Sequence, residues 1–223
     1  MRIVWPDGAM PLEKTLAAVL SDNSRFGQIL IQSTGSGGFV LCHRDDENSR
    51  GLEIFKKPED ALRIARSDDA GKYRPLKTAP NLQHGWRLEV VDLGELQRAL
   101  DCFYPGRLAM LAAWTENRLN TTPLRETLGR QSGMYRIAAK ISDKQIDDVV
   151  GNFCKSDGGC LRTILWKRDT HGAIPSTNLP PKKFDPGHDQ TGRGQNAIPL
   201  LCQEPCNLLV AECRKAVKGE IDE

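Results

Sequence analysis

The chain reads as an α+β protein of two small modules, residues 1–103 and 104–223, the second mainly helical with short strands. Three observations carry that reading. Residues 28–34 and 39–43 are rich in strand formers and are separated by Gly35-Ser36-Gly37-Gly38, the pattern of a β-hairpin. Ser142 and Gln145 have capping-box spacing, and Ile146, Val149, Val150 and Phe153 follow at helical intervals. Cysteines 154, 160, 202 and 206 fall in two pairs in the last third, which requires one folded unit to bring two distant segments together.

Composition sets the outer limits. The 223 residues are 39% apolar, enough for real cores, and their length suits two domains. The 31 basic and 29 acidic residues leave a net charge of +2, so no global field favours nucleic acid or a membrane surface. The start, Met1 to Gly8, has no apolar signal core, and the longest clean apolar run, Leu108 to Trp114, is far short of a spanning helix. A soluble, cytoplasmic protein is expected. Seven cysteines, an odd number, favour thiols and metal ligation in a reducing compartment over a disulfide framework.

Within the first module, Leu12, Leu16, Val19 and Leu20 share a helical face behind Pro11. The glycine run at 35–38 could cradle phosphate only if a helix followed it, and a strand follows. Residues 59–66 are helical in composition, and a loop through Tyr73-Arg74-Pro75-Leu76 leads into an edge strand over Gly85 to Val90. Cys42 and Cys102 sit in apolar surroundings and read as small buried hydrophobes. His43 and His84 have no patterned partners and receive no role.

The second module opens near Tyr104-Pro105-Gly106 with a helix over 105–120. Thr122-Pro123 then reads as an N-cap with proline at the first helical position of a short helix ending near Gly129. Residues 134–141 alternate as a strand would. Arg107, Arg118, Arg125, Arg130, Arg136 and Lys140 face only Glu116 and Glu126, a local excess of about four positive charges. Ile141 and Ile146 have staple spacing around the Ser142 cap, and the helix that follows delivers Cys154 to the edge of a core. Residues 161–166 read as a strand. Residues 168–197 are a long polar loop punctuated by proline and glycine, after which Ile198-Pro199-Leu200-Leu201 re-enters the core. Pro205 suits the first turn of a last helix on which Cys206, Leu209, Val210, Cys213 and Val217 share a face.

The cysteine pattern is C-x5-C, forty-one residues, then C-x3-C, with Cys213 seven further on. A small tetrahedral zinc ion, with Zn–S of about 2.3 Å, favours C-x2-C pairs, and neither pair here has that spacing. A cubane offers iron corners several ångströms apart, so wider loops are acceptable. Gly158-Gly159 would let backbone amides approach cluster sulfurs, and the start of the last helix would place positive partial charge beside an anionic cluster. Spacing therefore favours iron–sulfur over zinc and over unliganded thiols, and all three stay open at this point. Cys213 could replace one ligand or fill the core. His171 and His188 are alternative ligands in the polar loop.

The segments Tyr104-Pro105-Gly106, Asn120-Thr121-Thr122-Pro123-Leu124-Arg125, Arg130 to Tyr135, Cys160 to Trp166 and Ile198 to Cys206 resemble a bacterial 4Fe-4S cluster-binding domain. In that family the domain often follows a small sirohydrochlorin chelatase (CbiX-like) domain of the kind used for cobalt insertion, and nothing in this sequence resembles that domain's histidine-bearing half. Tyr73 to Leu76 with Gly85-Trp86 resembles the family's accompanying stabilising domain. The resemblance implies that Cys154, Cys160, Cys202 and Cys206 ligate a 4Fe-4S cluster.

The expected function is a cluster-bearing accessory protein that passes electrons to, or structurally supports, a partner such as a chelatase or another enzyme of tetrapyrrole metabolism. Arg125, Arg130 and Arg162 are candidate holders of an anionic, carboxylated substrate, because a guanidinium grips a carboxylate in a bidentate fork. Two alternatives stand beside it. One is a redox-sensing DNA-binding regulator with a winged-helix-like module over 105–166, which the balanced charge disfavours. The other is a structural zinc domain. Apart from the cysteines, no catalytic constellation is present.

Overall fold

A computed structural model of the protein describes residues 12–21, 24–67, 82–154, 163–170, 197–198 and 200–219. In chain order the elements are α1 (Leu12–Leu20), β1 (Arg25–Phe26), β2 (Ile29–Ser33), β3 (Phe39–His43), β4 (Glu53–Phe55), α2 (Asp60–Ile64), β5 (Trp86–Val90), α3 (Leu93–Phe103) and α4 (Arg107–Thr115). They continue with α5 (Leu124–Gly129), a 3-10 helix (Gly133–Lys140), α6 (Asp143–Val149), a π turn (Val150–Cys154), β6 (Thr163–Ile164), β7 (Ala197–Ile198), β8 (Leu201–Cys202) and α7 (Asn207–Lys218). The fold is α+β, as expected. The chain forms two compact units, Met1–Arg118 with Asn196–Ile198, and Leu119–Gln195 with Pro199–Glu223.

The first unit is built on a six-stranded sheet of order β4-β5-β3-β2-β1-β7. The hairpin at 28–43 forms as expected: Ile29 pairs with His43 and Ser33 with Phe39, antiparallel. Its turn is closed by Thr34, whose N–H donates to Gly38 O at 2.8 Å and whose Oγ1 accepts the Gly38 N–H at 3.0 Å. Residues 86–90 were expected at a sheet edge, but β5 is interior, antiparallel to β3 and parallel to β4. Three residues of β4 are too few to show a two-residue period, so the strand that covers β5 left no signal. On β5, Trp86, Leu88 and Val90 are buried and alternate with Arg87 and Glu89, one face inward.

Helix α3 was not anticipated. Asp92 caps it, accepting from Glu95 N at 2.8 Å, and its Leu96, Ala99, Leu100 and Phe103 are buried. Phe103 stacks on Trp86 with ring centroids 5.0 Å apart. Pro105-Gly106 makes the turn into α4, with Gly106 at φ 71°. The expected boundary at 103/104 therefore falls inside the first unit, which runs to Arg118 because α4 packs on α1 and α3. The turn joins two packed helices and is not a linker.

In the second unit Leu124, Leu128, Ile146, Val149, Val150, Trp166, Leu209 and Val210 form one buried core. The capping box at α6 is complete: Ser142 Oγ accepts from Gln145 N at 3.2 Å and Gln145 Oε1 accepts from Ser142 N at 3.0 Å. Gln145 Nε2 also donates to Ala216 O at 2.9 Å, tying α6 to α7. Residues 134–141 are not the expected strand. They form the 3-10 helix, in which Met134 and Tyr135 are exposed and only Ala138 is buried, so the apparent alternation has no buried face behind it. The cap of α5 falls on Pro123, one residue later than expected, with no side-chain bond. Its first amides, Leu124 N and Arg125 N, donate instead to Lys167 O and Arg168 O, both at 2.9 Å. Residues 171–196 of the long polar loop lie outside the described residues. No described helix is long and apolar enough to cross a membrane.

Two substitutions test this architecture. Ser142→Ala is expected to lower unfolding free energy in urea by about 1 kcal/mol, since it removes one half of the capping box. A Cβ on Gly38 would stand 2.7 Å from Val90 O, whereas one on Gly35 meets nothing within 4 Å. Gly38→Ala should therefore cost about 1–3 kcal/mol, and Gly35→Ala should leave the urea midpoint close to wild type.

Candidate metal centre

Three of the four candidate ligands are described, and each comes from a different element. Cys154 ends the π turn that continues α6, a local widening that re-aims the last residues of a helix. It is 8% exposed. Cys202 ends β8, which pairs in parallel with β6 so that Cys202 lies opposite Ile164. Cys206 is the N-cap of α7, and no side-chain hydrogen bond occupies the cap. Cys154 lies in the core of the second unit, and Cys202 and Cys206 pack against that same core. Cys160 lies outside the described residues, as do Arg162, His171 and His188.

Cys202 Sγ has a donor and an acceptor beside it: the Trp166 indole, and Glu204 O at 3.3 Å. Trp166, fully buried, donates its indole N–H to Cys202 Sγ at 3.3 Å. A buried indole needs such a partner, and an N–H on a ligand sulfur stabilises the added negative charge of a reduced cluster. Cys206 sits at the N-terminal end of a twelve-residue helix, whose positive partial charge would lie beside an anionic cluster. In donor chemistry, the three described free thiols fit a cluster.

Cys213 also lies in this core, 0% exposed, and burial, with the Glu212 charge adding to it, pushes its thiol up to about 12. That environment holds it as a protonated core side chain. Cys42 is buried on β3, and burial with Asp46 and Glu47 pushes it up to about 11, consistent with a structural thiol.

The arginines behave differently from the expectation of an anion clamp. Arg125 donates from Nη1 to Ile141 O and from Nη2 to Asp143 Oδ1, both at 2.6 Å. Arg168 Nη1 stands 3.2 Å from the other oxygen of the same carboxylate. The Arg125 hydrogen bond, and beyond it the Arg168 charge, hold the Asp143 carboxyl below its ordinary range. Arg125 thus braces α5 against the start of α6. Arg130 pairs with Glu126 one turn back on its own helix. The positive excess counted along the sequence is partly neutralised in space. The winged-helix drawing over 105–166 also fails, because α4 belongs to the first unit and residues 133–140 are helical where a strand was needed.

Two features escaped the sequence. Trp166 was read only as the end of a strand, although a lone tryptophan six residues beyond Cys160 was available as a donor. His43 and His84, assigned no role, meet in the first unit with ring centroids 3.9 Å apart. Burial, and then the neighbouring His84, hold the His43 imidazole down at about 4.

Residues 116–215 match a family model described as a 4Fe-4S iron-sulfur cluster binding domain, and residues 14–118 match the DR2241 stabilising domain. The crystal structure of DR2241 from Deinococcus radiodurans is similar at 27% identity and a TM-score of 0.71 over 93% of this chain. That protein is described as multi-domain, with structural similarity to chelatases and two additional novel domains, and this chain spans 41% of its length. No curated protein matches. The thiols of the second unit thus fall in the region that is similar to the 4Fe-4S iron-sulfur cluster binding domain, and the first unit, up to Arg118, in the region that is similar to the DR2241 stabilising domain.

Proposed function

We propose that the chain is an accessory protein in which Cys154, Cys160, Cys202 and Cys206 hold one 4Fe-4S cluster, and that it passes electrons to, or structurally supports, a chelatase-like partner acting on a carboxylated tetrapyrrole. The observation that carries the ligand set is the packing of Cys154, Cys202 and Cys206 against one core, with the Trp166 N–H on Cys202 Sγ. The partner reading is supported by the likeness to a longer protein described as similar to chelatases. A bound cluster supplies one-electron transfer. The chain's own residues supply the rest. The α7 N-terminus places positive partial charge beside Cys206, the buried indole holds a fixed N–H on Cys202, and the apolar core backs the inner face of the site. Four cysteines close the cluster, which suits electron transfer or support over substrate binding at an open iron.

Anaerobic purification with iron and acid-labile sulfide counting tests the ligand set: about four of each per chain are expected. Cys154→Ser, Cys160→Ser, Cys202→Ser and Cys206→Ser should each lose most of both, and Cys213→Ala should keep them. One zinc and no sulfide would replace this proposal with a structural metal domain. Trp166→Phe keeps the bulk and removes the N–H. It should retain the iron content and move the midpoint potential to more negative values in redox titration, since the reduced cluster gains most from that hydrogen bond. An unchanged potential would show that the indole only packs.

A further inference from the structure

The first unit places two imidazoles and a carboxylate together at one end of its sheet. Strand β3 ends at His43, and β5, its antiparallel neighbour, begins at Trp86 with Cys42 opposite Arg87. Residues just after one strand and just before the other therefore arrive at the same edge. His43 caps the 3-10 turn Arg44–Asp46, with its Nδ1 accepting the Asp45 N–H at 3.2 Å, and Asp45 projects from that turn. His84 is anchored by its neighbour Gly85, which takes φ +84° and donates its N–H to Asp46 Oδ2 at 2.7 Å. Such a glycine conformation is strained for other residues, so the loop is held where it is.

We infer that His43, Asp45 and His84 form a binding site for a divalent transition-metal ion. The ligand atoms of the three residues all lie within 4.8 Å of one another. Asp45 Oδ2 is 3.8 Å from His43 Nδ1. Binding at metal–nitrogen and metal–oxygen distances of about 2.0–2.2 Å brings donors to roughly 3.3 Å apart, a closure of about an ångström. The side chains that must move can do so, because Asp45 is 37% and His84 42% exposed, whereas His43 is 1% exposed and fixed.

Nδ1 is the His43 nitrogen that faces the Asp45 carboxylate, and it now accepts the Asp45 N–H, so ligation through it exchanges that hydrogen bond for a metal–nitrogen bond. The donor set of two imidazoles and one carboxylate is that of zinc, cobalt, nickel and ferrous sites, not of calcium or magnesium. The Asp46 carboxylate stands 3.9 Å from His84 Nδ1, placed to orient that ring as the outer partners of metal-bound histidines do. Arg44 Nε lies 3.7 Å from Asp45 Oδ1, so it neighbours the oxygen that is not turned to His43. With three protein ligands, two of them exposed, the site keeps a position open to solvent and suits an exchangeable ion over a permanently caged one.

Cobalt(II) is the probe, added to the full-length, cluster-loaded protein. One additional cobalt per chain is expected, with a visible ligand-field spectrum and no thiolate-to-metal charge-transfer band, which separates this site from the cysteines. His84→Ala, at an exposed position where folding is retained, should abolish the spectrum, and Asp45→Asn should weaken binding at least tenfold. Zinc should displace the cobalt and raise the thermal midpoint of wild type but not of His84→Ala. No cobalt beyond the iron complement, a thiolate band, or binding that survives His84→Ala would each overturn the inference. The cysteine ligand set is measured separately by iron and sulfide content, so either result can stand without the other.

Discussion

A parallel pairing of two residues with two, Thr163 with Leu201 and Ile164 with Cys202, closes the second unit, and its cysteine geometry depends on it. The pairing carries Leu165 N onto Cys202 O at 2.9 Å and sets Trp166 beside the sulfur. Closing a loop of about 38 residues costs roughly 3 kcal/mol beyond a constant. Two strand residues could not offset that by themselves. Burying an indole removes on the order of 200 Å² from water, worth up to about 5 kcal/mol, and Trp166 and Leu201 are both fully buried. The same burial that closes the loop thus delivers the N–H to Cys202.

The segment after β6 has a second use. Its carbonyls at Lys167 and Arg168 cap α5, and the Arg168 guanidinium shares Asp143 with Arg125. Helix α5, the start of α6 and the residues after β6 are therefore held by one backbone cap and one shared carboxylate. That arrangement explains why α5 forms without a capping side chain and why Arg125 points inward along the chain's own surface. Ser142 and Gln145 extend the tie to α7 through Ala216 O, so the helix that ends near Cys154 and the helix that begins after Cys206 are joined near their other ends. Rigidity at those ends limits how far the two thiols can move apart.

Local chemistry made much of this readable. The hairpin was legible because glycines and strand formers announce it within sixteen residues, and α6 because its cap, staple and apolar stripe all agree. The cysteine spacing argued for a cluster before any fold was known. Where reading failed, the signal was short or absent. Residues 134–141 alternate in hydropathy, but a 3-10 helix with one buried side chain meets that pattern by chance. Helix α3 interleaves its apolar positions with polar ones over only eleven residues, and β4 with three residues has no period at all.

The amino-acid order alone determined the α+β class, the hairpin and the capped helix, because each follows from interactions among residues near in sequence, and its cysteine spacing favoured a cluster over zinc. Tertiary structure decided which groups meet. It turned an arginine-rich stretch into internal ion pairs with Asp143 and Glu126. It moved the end of the first unit to Arg118 by packing α4 on α1 and α3. It put Trp166 on Cys202 and set the His43 ring against His84 across forty-one positions of sequence. Such contacts arise from the pairing of strands and the shape of a shared core, and no spacing along the chain encodes them.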